Sequence, residues 1–375
     1  MDKNMKKTTK CVLAVVKGIA IAMLSFVLAG AISFGVLIVG GLSPTLQSIW
    51  ICSAMRTFHH KYLATWFFSE EKIAEVLAAN EIDDSGMNSD ILDFSHLQNR
   101  ETTSDSASEP TESQPAQTEP AETTPSEPDP TDYVGQGYEE LEEGVYLKEV
   151  SGIGWRGFLM LVADPFRVKL VDTAMQYECG QNVMTMVKQN DCVGGINAGG
   201  FVDGPNYDSN GGIPAGLLME DGRLVNPQEP DGTTVYSMVG INDKGALVLQ
   251  HCTDTWAMEN GIVSAVTASP YLIVNGEGTI KKGSGGWGLA PRTAIGQRKT
   301  GEFILMVVDG RQVDWSLGCD LDVLQDTLLA EGCVNAAMMD GGSSTAMVYN
   351  GEYINRPSLG HERWINNAWV VMKKQ

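Results

Sequence analysis

From Glu101 to Asp132 the chain reads "ETTSDSASEPTESQPAQTEPAETTPSEPDPTD", a run of Pro, Ser, Thr and acidic residues without one large apolar side chain. No other stretch constrains the fold as strongly, because a segment with nothing apolar to bury cannot offset the entropy lost on ordering. The composition shift begins near position 81, so residues 81–132 are expected to form a disordered, acidic, self-repelling linker. The stretch left to fold as a globular domain is 133–375.

Ahead of the linker, four lysines lie in the first ten residues and Lys17 follows them, whereas Gly18 to Leu42 carries no charge. About 20 apolar residues suffice for a helix to cross a bilayer. The run passes into "SPTLQSIWICSAM" without a clear small-residue cleavage site, which predicts an uncleaved anchor. Residues 1–17 are then a basic cytoplasmic tail, 18–42 the single transmembrane helix and 43–80 a juxtamembrane helical segment. Lysines clustered before the span place the N-terminus in the cytoplasm and the domain outside the cell membrane.

The net charge of −21 is uneven. Eight basic residues face four acidic ones up to position 80, one faces fourteen in 81–132, and seventeen face twenty-nine in the remainder. So acidic a domain excludes non-specific nucleic-acid binding and must meet any anionic ligand with a few placed arginines. The seven cysteines form no CxxC or His-spaced pattern, so no metal site is expected; most should be small buried hydrophobes.

Within 133–375, short apolar runs alternate with Asp-Gly and Asn-Gly pairs, as in "GLLMEDGRLVN" and "YLIVNGEGTI", which are hairpin signals. The clearest helix is "CDLDVLQDTLLAEG", with Leu321, Leu324, Leu328 and Leu329 on one face and Gly332 as the stop. It joins the strands "EFILMVVD" and "CVNAAMMD", which predicts a βαβ crossover with two neighbouring parallel strands. The expected fold class is α+β: a mostly antiparallel curved sheet with at least one βαβ crossover, preceded by the transmembrane helix and the stalk.

The strands "FILMVVDGRQ" and "AAMMDGGSST" share one grammar, an apolar run, then Asp, then Gly. The crossover should bring Asp309 and Asp340 to the same strand ends, where ligands of such sheets sit. A third instance, "GGINAGGF", adds Asn197. Each alone reads as turn chemistry. "MMDGGSST" also admits a serine elbow or an anion-binding loop, with Gly341 and Gly342 turning backbone N–H groups inward beside Ser343, Ser344 and Thr345. It lacks the G-x-S-x-G elbow and the GxxxxGK[ST] phosphate loop, and the domain has only His251 and His361 to serve as a serine's base. Arg292, Arg311, Arg356 and Arg363 stand in polar contexts suited to bidentate phosphate contacts, and Trp287 and Trp315 are candidate sugar-stacking platforms; Trp369 reads as core.

These motifs together resemble the phosphodiester glycosidase family. The matching stretches are "GINAGGF", "GIPAGLLMEDGRL", "APRTAIGQ", "VVDGRQ", "SLGCDLDVLQDTLLAEGCVNAAMMDGGSSTAMVYNGEYINRPS" and "ERWINNAWVV", in the family's order. The chain departs from some members in having two glycines after Asp340 instead of three, and in its "ERW" turn. The resemblance implies hydrolysis of a sugar-1-phosphodiester at the anomeric C–O bond, without cofactor. Arg292, Arg311 and the Gly341–Ser344 loop would then hold the phosphate, with Arg356 and Arg363 as further contacts. Asp309 or Asp340 would activate water or stabilise the oxocarbenium-like centre, and Asn197 would orient sugar or water; Glu362 and Glu220 are reserve carboxylates. For an anchored exterior domain, the expected partners are the membrane and phosphodiester-linked glycans of the cell envelope. A non-catalytic glycan- or phosphate-binding module, or a serine esterase, are the alternatives.

Overall fold

The computed structural model describes residues 2–57, 60–98, 132–204, 209–281 and 283–374; most of the expected linker, 99–131, lies outside them. Two compact units form, one from residues 1–81 with Gly286–Gly288, the other from Ile82–Gly285 and Leu289 onward.

In the first unit, α1 (Asp2–Phe34) continues into a π-helical turn, Gly35–Val39. Its stretch Leu13–Val39, of mean hydropathy 2.4, is long and apolar enough to cross a membrane, and none of it is buried. Ser43 ends the run and starts α2 (Pro44–Met55): its hydroxyl accepts from the Leu46 N–H, and Pro44 sits where no N–H is needed. With α3 (Tyr62–Thr65) and α4 (Glu70–Ala79), α2 buries Ile51, Cys52, Ala64, Ile73 and Val76. Trp287 belongs to this unit, where the Arg56 guanidinium lies 4.5 Å from its ring centre.

The second unit begins with a strap. Residues 82–98, assigned by composition to the linker, lie along the domain and end in the short α5 (Ser95–Gln98). The Asp84 carboxylate accepts from the Tyr271 N–H at 2.8 Å, Ser89 Oγ from the Leu249 N–H at 2.9 Å, and Phe94 is buried. Met87, packed against the core, and the buried Phe94 help to dock a stretch that is acidic on average.

The strands follow in order: β1 (Glu139–Glu142), β2 (Val145–Gly152), β3 (Trp155–Val162) and β4 (Val168–Asp172). After α6 (Val183–Gln189) come β5 (Cys192–Asn197), β6 (Leu218–Glu220), β7 (Arg223–Asn226), β8 (Tyr236–Asn242) and β9 (Leu247–Cys252). Beyond α7 (Asp254–Glu259) lie β10 (Ile262–Thr267), β11 (Tyr271–Val274), β12 (Glu277–Gly278), β13 (Arg292–Arg298) and β14 (Phe303–Val308). Helix α8 (Leu321–Ala330) leads to β15 (Cys333–Met338), β16 (Met347–Tyr349), β17 (Glu352–Tyr353) and β18 (Asn367–Met372).

They form three sheets, β1-β2-β3-β14-β13-β15-β11-β12, β7-β6-β10-β8-β9 and β17-β16-β5-β18-β4. The Asp221–Gly222 and Asn350–Gly351 pairs, both residues at positive φ, turn the β6–β7 and β16–β17 hairpins. Helix α8 buries Leu321, Leu324 and Leu328 as its spacing predicts. The crossover differs from expectation: β14 and β15 run the same way but are not neighbours, because β13 lies between them and pairs antiparallel with both. A β13–β14 hairpin forms locally, so β15 finds only the open edge of β13.

The inner faces of the sheets share one core, including Met160, Ile196, Leu218, Val239, Val307, Met339 and the fully buried Trp369. Cys52, Cys192, Cys252, Cys319 and Cys333 are buried, as small hydrophobes are, and Cys179 is half-buried.

Candidate active site

Asn197 closes β5, Arg292 opens β13, and Asp309 and Asp340 follow β14 and β15, so all four backbones meet at one end of the packed sheets. The chain locks this end together through Asn197, which is 1% exposed. Its Nδ2 donates to the Asp340 carbonyl at 2.6 Å, while its Oδ1 accepts from Thr293 Oγ1 at 2.8 Å and from the Ala346 N–H at 3.1 Å. The Asp340 N–H donates to the Ala198 carbonyl at 2.9 Å. With its amide spent on the chain, Asn197 positions Asp340.

The Asp340 side chain is half-buried, and burial pushes its carboxyl up to about 6. Ser344 and Arg363 oppose that shift, whereas the nearby Asp203 carboxylate adds to it. Arg363 is ion-paired with Asp203 at 2.6 Å and packs on Phe201. Ser344 Oγ is buried beside Asp340 with no hydrogen-bond partner of good geometry among the described residues, so neither histidine serves it as a base. His251 is instead bound up with the strap, Nε2 lying 2.7 Å from the Asp84 carbonyl oxygen.

The loop after Asp340 is a tight 3₁₀ turn, Gly342–Ser344. Its N–H groups do not all converge on a concavity as expected: Gly342 donates to the Pro291 carbonyl, and Ser344 and Thr345 donate back to Gly341 and Gly342. Gly342 has φ +65, and a Cβ there would lie 3.2 Å from Arg311 Nη2. Glycine therefore lets the Arg311 guanidinium rest on the turn. Arg311 is exposed and forms no ion pair among the described residues.

Asp309 has a different role. It is 1% exposed, and its carboxylate accepts from Trp315 Nε1 at 2.8 Å, Asn355 Nδ2 at 2.9 Å and the Arg356 N–H at 3.0 Å. Burial raises its pKa, opposed by these bonds. Asp309 thus ties the turn after β14 to the segment after β17 and leaves no lone pair facing solvent. The Arg356 and Arg156 guanidiniums lie 3.7 and 4.4 Å from the centre of the Trp315 ring, occupying the surface expected to stack on sugar.

The remaining residues separate. Arg292 and Thr293 point to opposite sheet faces, as neighbours in a strand must. Thr293 reaches Asn197, while buried Arg292 donates Nε to the Cys319 carbonyl at 3.2 Å and lies near Asp320, whose carboxyl burial raises to about 6. Glu362 sits at the start of α6, accepting from Tyr353 at 3.0 Å, with burial raising its carboxyl to about 7. Glu220 pairs with Arg223 at 3.2 Å and faces Asp172, which burial and Glu220 together hold near 7. Sequence reasoning passed over Asp203, although "FVDG" repeats the apolar-Asp-Gly grammar; it also passed over Thr293 and Asn355, whose roles come from long-range pairing.

Comparison with known proteins follows this geometry. Residues 190–372 match the family model described as phosphodiester glycosidase. The chain is 30% identical over 197 residues to the SPbeta prophage-derived uncharacterized protein YomE of Bacillus subtilis, covering 51% of this chain and 29% of that protein. It is 25% identical over 245 residues to the N-acetylglucosamine-1-phosphodiester alpha-N-acetylglucosaminidase of Mus musculus, covering 60% and 45% respectively. The chain thus spans less than half the length of these two relatives. The zebrafish N-acetylglucosamine-1-phosphodiester alpha-N-acetylglucosaminidase catalytic domain, solved auto-inhibited by its pro-peptide, superposes with TM-score 0.50 at 24% identity over 61% of this chain and 82% of that one, a likeness of fold.

Proposed function

Because residues 190–372 match the phosphodiester glycosidase family model, we propose that this chain hydrolyses sugar-1-phosphodiesters at the bond between the anomeric carbon and its bridging oxygen. The observation that carries the reading is the half-buried Asp340 carboxyl, facing Arg363 and followed by a turn on which the Arg311 guanidinium rests.

Asp340 is the reacting carboxylate. A water oxygen bonds to the anomeric carbon as the carbon–oxygen bond breaks, its electron pair goes to the phosphate, and the proton shed by water passes to Asp340. A phosphate monoester carries departing charge well, so Arg311 and the half-buried Gly342–Ser343 edge of the turn stabilise it without a protonated acid. The Asp203–Arg363 pair sets the field at Asp340. Asn197 and Asp309 act through the backbones they hold, and Arg356 through its place at Trp315. Arg292 and Glu362 support the sheet end and α6, outside the reacting groups.

The apolar stretch Leu13–Val39 anchors the chain, with the lysine-rich start in the cytoplasm and the domain facing phosphodiester-linked glycans of the envelope. The test is release of reducing sugar by the detergent-solubilised full chain from a panel of sugar-1-phosphodiesters. Asp340→Asn should abolish release while keeping ligand binding. Binding without turnover by the wild type would instead favour a binding module. A fluorophosphonate label lost in Ser344→Ala would favour an esterase.

A further inference from the structure

Beside the Arg311 side of this site, the domain carries an aliphatic rim that none of the described residues covers. Ile153, at the tip of the β2–β3 hairpin, is 105% exposed, Val313 is 92% exposed, and Leu317 is 43% exposed. They belong to one surface. The Leu317 N–H donates to the Gly154 carbonyl at 2.8 Å, the Arg156 N–H donates to Ser316 Oγ at 3.1 Å, and a Cβ on Gly154 would lie 3.7 Å from Leu317 Cδ1. The hairpin tip and the 312–317 turn are therefore packed together.

The rim carries Arg156, Arg311 and Arg356 against Glu149, ion-paired with Arg156 at 3.0 Å, and the exposed Asp314, a net positive charge in an acidic domain. Arg156 and Arg356 lie over the Trp315 ring, and Arg311, two residues before Val313, reaches back to the Gly342 turn. In an acidic chain, guanidiniums beside projecting aliphatic side chains form a surface that accepts a phosphate and then hydrocarbon. A sugar or polyol beyond the phosphate would require donors and acceptors where the chain presents Leu317, Val313 and Ile153.

We propose that the substrate is a sugar-1-phosphoryl lipid: the sugar faces Asp340, the phosphate meets Arg311, and the hydrocarbon chain passes over Leu317, Val313 and Ile153. The inference rests on the hydrolase reading above and adds the identity of the leaving group. Water adds to the anomeric carbon, the anomeric C–O bond breaks, and the products are the free sugar and a lipid phosphate monoester.

The experiment uses the full chain in nanodiscs and two substrates with the same sugar-1-phosphate, one esterified to hexanol and one to methanol. The expected kcat/KM is about tenfold higher for the hexyl ester, and the double variant Ile153→Ser/Val313→Ser brings the hexyl-to-methyl ratio towards one. Equal kcat/KM for the two esters, or a ratio untouched by the double variant, overturns the proposal while leaving the hydrolase reading intact. If neither ester is turned over, the hydrolase reading falls, and binding of hexyl phosphate against methyl phosphate decides the rim: about tenfold tighter hexyl binding that Ile153→Ser/Val313→Ser removes supports it, and equal binding overturns it.

Discussion

Asn197 Nδ2 donates to the backbone carbonyl of Asp340 at 2.6 Å, joining residues 143 positions apart. The bond fixes the carbonyl and not the carboxylate, so it holds the proposed reacting group without consuming it. Asn197→Ala leaves the Asp340 carbonyl, the Ala346 N–H and the Thr293 hydroxyl without this partner. Each orphaned buried group costs about 1–3 kcal/mol. Urea unfolding should show a loss of about 2–4 kcal/mol, with kcat falling and KM moving little.

Burial pushes the Asp340 carboxyl up to about 6, and in the proposed reaction its ionised form accepts water's proton. The rate should therefore be low in acid, climb through about pH 6 and level off above it. Asp340→Asn should lower kcat by about 10²–10⁴ and flatten the acid limb. A wild-type profile without an inflection in that region argues for another base.

Asp309 spends its carboxylate on Trp315, Asn355 and the Arg356 N–H. Asp309→Asn turns an amide NH₂ towards one of those donors, and the expected effect is a loss of about 2–4 kcal/mol in stability. Activity measured well below the melting temperature should fall far less than in Asp340→Asn. Calorimetry paired with kcat separates the two roles.

Gly342 holds a left-handed backbone under the Arg311 guanidinium. Gly342→Ala should cost about 1–2 kcal/mol from the backbone alone, and the methyl group displaces Arg311. Inhibition by inorganic phosphate or a phosphate monoester reports the change: its Ki should rise several-fold in Gly342→Ala and in Arg311→Gln.

Burial raises the carboxyls of Asp172 and Glu362 to about 7. Between pH about 4, where they titrate in an unfolded chain, and about 7, the folded protein binds more protons than the unfolded one. Their contribution is full below about pH 4 and is lost as pH rises through about 7. The domain's melting temperature should thus fall between pH 5 and pH 8, at about 2–4 °C per kcal/mol. Asp172→Asn with Glu362→Gln should flatten that slope. Asp93 and Asp231, held near 2 by hydrogen bonds, act below this window with the opposite sign.

The strand-Asp-Gly pattern located Asp340 and Asp309 from local chemistry, and the leucine spacing of α8 was equally readable. What separated the two carboxylates was not local. Whether a lone pair remains for chemistry depends on Trp315 and Asn355, and the latter is brought in from 46 residues away. Arg292 and Thr293 are adjacent, so an alternating strand had to send one to Asn197 and the other to Cys319, and no motif says which. The strap 82–98 was hidden by averaging, since anchors as few as Met87 and Phe94 disappear in an acidic window. Asp203 carried a visible signal in "FVDG" and acquired meaning only from its ion pair with Arg363.

The position of β13 between β14 and β15 has a kinetic consequence. The β13–β14 hairpin closes across a short turn, but β15 must travel around α8 to reach the free edge of β13, and Asn197 must wait for Ala346, 149 residues further on. Contacts of such sequence separation form late in folding. Asp340 is therefore seated only once these long-range pairings have closed, and regain of turnover during refolding should lag behind regain of sheet signal in circular dichroism.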